Sequence, residues 1–274
     1  MVSTASRRLA DAVLRILIEW PSWETVNRLK LTPTRGGLSC AGCEAVVTFR
    51  EVNGGSSPRA HTLPAEVLKI STEAPEAATL QYAAELIGRG RVVGIPTDTF
   101  YGLSADPFNL AAIEQVYSVK GRPDTKALPI LVNSLEQAAL LARELPDTFL
   151  TLAQRFWPGA LTIVVEATHR LPLKVTGNSG RVALRWPNSR VATGLIERVG
   201  GPITGTSANL SGFPACTSAT QLIKQLGERL PLILDSGETG AVLASTIVGL
   251  QGDTWWIARE GAIPEEEIRK ALSL

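Results

Sequence analysis

Arg91-Val92-Val93-Gly94-Ile95-Pro96-Thr97-Asp98-Thr99-Phe100-Tyr101-Gly102-Leu103 is the stretch whose reading decides the fold. The β-branched run at 91–95 reads as a buried strand, and Pro96 ends it because proline has no N–H to give to a ladder. Two threonines and an aspartate follow at the strand's carboxyl end, where open α/β sheets place ligands. The stretch is read as strand, then hydroxyl-rich turn, then helix. Its residues alone leave two readings open: a ligand-binding turn, or a capped turn in which Asp98 bonds its own backbone.

The flanking sequence extends the same rhythm. Upstream, Leu80, Ala84 and Ile87 recur at helical spacing and stop at Gly88 and Gly90. Downstream, Asn109 can cap a helix with Leu110, Ile113, Val116 and Tyr117 on one face, and this helix delivers Lys120-Gly121-Arg122-Pro123 at its end. A strand at 128–132 leads to Ser134 and Gln137, a capping box for a helix through Leu141. Further helices are expected from Asp147 to Trp157-Pro158, at 191–199 and at 219–226. Strands are expected at 161–165, 181–186, 203–204 and 232–234. The runs 246–250 and 254–258, split by Gln251-Gly252-Asp253, read as a hairpin, so the sheet is mixed. Pro264 opens a last helix carrying Ile268 and Leu272. The fold class is α/β: a twisted mixed β-sheet with flanking helices.

Residues 1–69 differ in texture. Leu9, Val13, Ile16, Leu17 and Trp20 make an amphipathic helix. Asp11 and Glu19 within it argue against a transit peptide, which is poor in acids. From Leu31 to Pro64 the composition is loop-like, with one strand expected at 45–52. This part reads as a poorly ordered N-terminal extension, and residues 70–274 as the catalytic domain. Cys40-Ala41-Gly42-Cys43 has the spacing of half a zinc site, but the other half is missing, and the pair reads as incidental.

Bulk properties narrow the function. A chain of 274 residues, 45% hydrophobic with net charge +1, can bury a full core, and its composition gives no argument for bulk adhesion to nucleic acid or membrane. Three cysteines do not make a secreted disulfide framework, so a reducing, cytoplasmic setting is expected. No apolar run approaches the roughly 20 residues of a membrane span. The phosphate-binding glycine motifs and the nucleophile elbow are absent, and of two histidines, His61 lies in the extension and His169 in a loop. What remains is a set of cations, Lys120, Arg122, Lys126, Arg181, Arg185 and Arg259, interleaved with Thr97, Thr99, Ser207, Asn209 and Ser245. Each cation by itself is a solvated surface residue. Several converging on one cleft would grip carboxylate or phosphate with arginine forks.

Lys120-Gly121-Arg122 followed by Ser207-Ala208-Asn209 resembles the Lys-x-Arg…Ser-x-Asn signature of the YrdC-like family, the threonylcarbamoyl-AMP synthases. The similarity continues through residues 96–103, Phe156-Trp157-Pro158-Gly159, residues 182–188, Ser245-Thr246-Ile247-Val248 and Arg259-Glu260-Gly261. It implies a YrdC-like fold with an open concave cleft. It also implies condensation of L-threonine, bicarbonate and ATP into threonylcarbamoyl-AMP with release of pyrophosphate, magnesium accompanying the ATP. A downstream threonylcarbamoyl transferase complex would then modify tRNA.

By the same similarity, Lys120 and Arg122 are catalytic. ATP would be faced by Lys120, Arg122, Lys126, Arg181, Ser207, Asn209 and Arg259. Threonine would be held by Thr99, Arg185 and Ser245, with Arg185 on its carboxylate and Tyr101 and Gly102 shaping the floor. Asp98 is the acid nearest to a magnesium role, and no protein-held metal is expected. The chain departs from the family in two places. Leu131-Val132-Asn133 stand where many members carry a histidine, and Lys126-Ala127-Leu128 replaces Asn-Pro-Leu. It resembles the short form, without a second C-terminal domain. Two other readings exist for such a domain, a double-stranded RNA or tRNA binder and a carbamoyl-transfer maturation factor.

Overall fold

The computed structural model describes the backbone of residues 31–34, 37–40, 46–48, 64–252 and 254–273. The chain divides into two units, Met1–Ala60 and His61–Leu274. In the first, β1 (Leu31–Thr34), β2 (Gly37–Cys40) and β3 (Val46–Thr48) form an antiparallel sheet in that order. β3 falls within the strand expected at 45–52. β1 and β2 do not follow from a proline- and glycine-rich composition. The helix expected over 9–20 and Cys43 lie outside the described residues.

The second unit holds two mixed sheets. Its five-stranded sheet runs β11 (Thr206–Ser207), β6 (Gly102–Ser104), β5 (Val93–Ile95), β12 (Leu232–Asp235), β4 (Glu66–Lys69). Its six-stranded sheet runs β10 (Ile203–Thr204), β7 (Ile130–Leu131), β9 (Arg181–Arg185), β8 (Leu161–Glu166), β13 (Thr246–Gln251), β14 (Thr254–Arg259). Seven α-helices flank them among the described residues: α1 (Ala77–Gly88), α2 (Leu110–Lys120), α3 (Leu135–Leu141), α4 (Asp147–Phe156), α5 (Arg190–Val199), α6 (Ala219–Leu226) and α7 (Glu265–Leu272). The mixed α/β class is as expected from the sequence, and β13 and β14 form the expected hairpin. β4, read as part of the extension, pairs in parallel with β12 at the sheet's edge.

One expectation is corrected at the stretch that opened the sequence. Residues 96–101 lead not into a helix but into β6, which pairs antiparallel with β5, Ile95 opposite Gly102 and Val93 opposite Ser104. Thr97 closes this hairpin loop: its Oγ1 accepts from the Thr99 N–H at 3.1 Å and donates to the Phe100 carbonyl at 2.7 Å. Tyr101 and Leu103, two apart and both fully buried, point into one core, which is strand periodicity. Helix α2 starts only where Asn109 supplies a cap to the Ala112 N–H. Ser207 likewise belongs to a short strand rather than wholly to a turn.

Apolar side chains collect in two cores. Val93 and Ile95 of β5 with Leu232 and Leu234 of β12 face α1 and α5, whereas Val92 and Ile233 face the opposite core. The five-stranded sheet is thus covered on both sides, which is why β5 and β12 read as continuous apolar runs rather than alternations. The larger core lies between α2, α4, α6 and α7 and the inner face of the six-stranded sheet, which contributes Ile163, Leu184 and Val248.

The two sheets are joined at Gly205. β10 pairs with β7 in one sheet and β11 with β6 in the other, with a single residue between them. A Cβ at Gly205 would lie 2.4 Å from Leu131 Cγ, so only glycine lets the chain pass here. Beyond this junction the sheets diverge and leave a cleft.

Two glycines test how far packing tolerates a methyl group. A Cβ at Gly261 would sit 2.2 Å from the Ala244 carbonyl oxygen and 2.7 Å from Ser245 C, backbone atoms that cannot swing aside. Gly261→Ala should lower unfolding free energy by about 1–3 kcal/mol in urea titration. Gly88→Ala, at the end of α1 with no atom within 4 Å, should instead add about 0.4–1 kcal/mol.

Candidate functional site

A cleft of about 300 Å³ opens between the sheets, lined from the five-stranded side by Thr97, Thr99, Thr206 and Ser207 and from the other by Thr162, Arg185, Ser245 and Arg259. Strand alternation sorts these residues: Leu161 and Ile163 enter the core and Thr162 the cleft, Leu184 the core and Arg185 the cleft. Arg122 enters from the loop after α2. Three arginines and no aspartate or glutamate line the cleft among the described residues. It is a site for anions.

Arg185 is held on three sides. Its Nε donates to the Gly159 carbonyl at 2.9 Å, Nη1 to Thr99 Oγ1 at 2.8 Å and Nη2 to Asp98 Oδ1 at 2.7 Å. The Phe156-Trp157-Pro158-Gly159 segment thereby gains a meaning, since it presents the Gly159 carbonyl. A Cβ at Gly159 would stand 2.5 Å from the Phe156 carbonyl oxygen. Burial lowers the Arg185 pKa and Asp98 opposes that fall. Three of the five guanidinium N–H groups are engaged, which leaves two for a ligand.

Among the described residues Arg259 has no acid partner. Its Nη2 donates to the Ser245 carbonyl at 2.7 Å and to Ser245 Oγ at 3.2 Å. Burial, with the nearby Arg185 charge, pulls its pKa below the ordinary arginine range. Ser245 Oγ also meets Thr162 Oγ1 at 2.8 Å, so one hydroxyl pair and two guanidinium groups share a wall. Thr246 holds this corner together, because its Oγ1 accepts from both Gly261 N and Ile263 N at 3.0 Å. Arg122 spans the cleft's other end. Its Nη2 donates to the Lys126 and Ala127 carbonyls at 2.8 and 2.9 Å and Nη1 to Thr206 Oγ1 at 3.2 Å, while its buried Nε finds no acceptor among the described residues.

Lys120 and Asn209 lie beneath this surface. Lys120 Nζ, 3% exposed, donates to the Ser207 carbonyl, to the Asn209 carbonyl at 3.0 Å and to Asn209 Oδ1 at 3.2 Å. Asn209 Nδ2 donates onward to the Leu210 and Phe213 carbonyls, and its Oδ1 accepts from Ser207 Oγ at 2.6 Å. The Lys-x-Arg and Ser-x-Asn segments therefore grip each other: lysine fixes the turn, and Arg122 and Ser207 face the cleft. Tyr101, also on the floor, donates its hydroxyl to the Gly237 carbonyl at 2.7 Å and accepts from Ser236 N at 3.1 Å.

Of the residues singled out in the sequence, the cleft gathers Thr99, Arg122, Arg185, Ser207, Ser245 and Arg259. Lys126 is exposed outside the lining. Arg181 lies at the other end of β9 from Arg185, its guanidinium 5.2 Å from the Trp256 ring centre, away from the lining residues. Asp98 borders a neighbouring cleft of about 480 Å³ rather than this one. Thr162 and Thr206 also line the cleft, beyond the candidate residues of the sequence. The signal for Thr162 was a lone hydroxyl within the apolar alternation of 161–165.

The family model Sua5_yciO_yrdC, described as "Telomere recombination", matches residues 85–261, and the chain belongs to this family. It is 38% identical to the threonylcarbamoyl-AMP synthase of Pyrococcus abyssi over 70% of this chain and 57% of that one. The same-named protein of Vibrio vulnificus is 35% identical over 60% of this chain and 88% of its own length. The crystal structure of P. abyssi Sua5 complexed with L-threonine superposes with a TM-score of 0.73 at 36% identity, over 75% of this chain and 60% of that one. This chain therefore spans little more than half the length of the P. abyssi relative.

Burial, with Arg122 nearby, pushes the Lys120 ammonium down from 10.5 to about 8. Below the lower value the lysine is charged whether folded or unfolded. Between about 8 and 10.5 it is neutral only in the folded chain, so the unfolded chain binds more protons and folding gains stability as pH rises. Urea unfolding across that range should show wild type gaining on Lys120→Met. A difference independent of pH would mean the amine stays charged throughout.

Proposed function

We propose that this cleft is the active site of a threonylcarbamoyl-AMP synthase, which condenses L-threonine, bicarbonate and ATP to threonylcarbamoyl-AMP and pyrophosphate. The observation that carries the reading is a cleft lined by three arginines and no acid, with Ser245, Thr162 and Thr99 hydroxyls among them. The relatives' shared name and the threonine-bound P. abyssi structure support it.

The chemistry asks little covalent work of the protein. Threonine's amine adds to carbon dioxide released from bicarbonate and loses a proton, giving a carbamate. A carbamate oxygen then attacks the α-phosphorus of ATP, and the bond to pyrophosphate breaks. The carbamate, the ATP and the pyrophosphate are all anions, so rate comes from alignment and from guanidinium groups placed where charge accumulates. Arg185 and Thr99 would take the threonine carboxylate, with Ser245 beside them. Arg122, Arg259 and Ser207 would face the phosphates, while Lys120 and Asn209 set the turn that presents Ser207. Lys126 and Arg181 lie off the lining, and no step here uses them.

Magnesium would arrive on the triphosphate oxygens. Among the described residues the cleft offers it no carboxylate, and Asp98 is committed to Arg185 and faces the neighbouring cleft. The catalytic unit would be residues 70–274 together with β4, which completes the sheet, and residues before β4 the extension. No helix among the described residues is long and apolar enough to cross a membrane. A cytoplasmic setting and handover of the labile product to a transferase complex acting on tRNA complete the proposal.

Pyrophosphate release by the purified chain should fall to background when threonine, bicarbonate or ATP is omitted, with no RNA required. Release that ignores threonine and bicarbonate would refute the assignment. Arg122→Lys, which keeps the charge but loses the planar fork, should lower kcat/KM for ATP by about 100-fold.

A further inference from the structure

Asp98 stands out because the mechanism leaves it unused. It is an acid beside an otherwise acid-free cleft, and its side chain is only 14% exposed, against 8% for Arg185. It does not line the cleft that Arg185 lines; it borders the adjoining one, with Thr97 forming the wall common to both. Arg185 thus has a substrate-facing side and a rear side, and Asp98 Oδ1 takes a rear N–H at 2.7 Å.

An unpaired arginine here would carry the field that attracts a carboxylate, but its long side chain would have rotamers to choose from. A partner carboxylate reduces that field but fixes the guanidinium plane, and for an arginine fork the orientation decides whether two N–H groups reach a carboxylate together. Gly159 and Thr99 are neutral acceptors; Asp98 is the charged one, and charge-assisted bonds are about twice as strong as neutral ones. The neighbouring Arg259 raises the need for it, since the two guanidinium groups repel one another across the cleft wall. Asp98 is thereby a counter-charge that keeps Arg185 from tilting away.

We infer that Asp98 is a positioning residue: acting through Arg185 from behind the cleft, it sets the guanidinium for the carboxylate of the amino-acid substrate. This rests on the threonine assignment made above. It also separates the two substrates, because the phosphate-facing Arg122 makes no bond to Asp98.

The test is calorimetric titration of the full-length chain with L-threonine and, separately, with a non-hydrolysable ATP analogue, accompanied by thermal unfolding and steady-state kinetics. Asp98→Ala should weaken threonine binding and raise its KM at least tenfold, with kcat and the affinity for the ATP analogue within threefold of wild type. Asp98→Asn retains an Oδ1 acceptor in the same shape, so it keeps the protein folded and should lose only two- to fivefold. Equal threonine affinity in wild type and both variants overturns the inference, as does equal loss of threonine and nucleotide binding, which marks a merely structural pair. Failure of wild type itself to bind threonine overturns the assignment of the cleft, and the role of Asp98 falls with it.

Discussion

The anchoring of Arg185 is the interaction on which the site depends. A guanidinium from the six-stranded sheet bonds Asp98 and Thr99 in a loop of the five-stranded sheet and the carbonyl of Gly159 ahead of β8. Two sheets that diverge after Gly205 are drawn together again by one side chain. Burying a paired charge is costly in itself, and removing one partner of such a pair costs about 3–5 kcal/mol because the other charge stays behind. The pair is therefore poor economy as a structural rivet and sensible where a guanidinium must be presented at a fixed angle.

The two signature segments have a comparable division of labour. Lys120 and Asn209 are nearly out of solvent and hold backbone carbonyls, while Arg122 and Ser207 carry the exposed chemistry. Lys120 ends α2 before the left-handed Gly121 and Arg122 follows it, while Ser207 ends β11 and Asn209 lies beyond it, so each tripeptide crosses the end of an element and supplies one anchor and one contact. Among the described residues the buried lysine has no carboxylate as a hydrogen-bond partner, and its charge is met by carbonyl dipoles instead.

Helices and strands with clean periodicity were legible in the sequence. Ser134, Asn109 and the Gln251-Gly252 turn announced their elements, and the caps form as expected. The hairpin at 96–104 was not legible, because β6 is three residues long, two of them glycine and serine, and held by partners about a hundred residues away, such as Thr204, whose Oγ1 donates to the Leu103 carbonyl. β4 escaped for a related reason: an edge strand with Glu66 and Lys69 at its ends has no strong alternation. The site's composition was readable, since hydroxyls and arginines at element ends pointed to an anion. Its exclusions were not, because Arg181 and Arg185 share a face of β9 and only the tertiary fold decides which one meets the cleft.

Gly205 carries a mechanical consequence. β10 and β11 are successive parts of one strand, and the residue between them is pressed against Leu131. The gap between the sheets is consequently gauged by covalent backbone, like the throat of a spanner, rather than by the side chains that fill it. Exchange of lining residues can retune which anion is gripped while the jaw keeps its span.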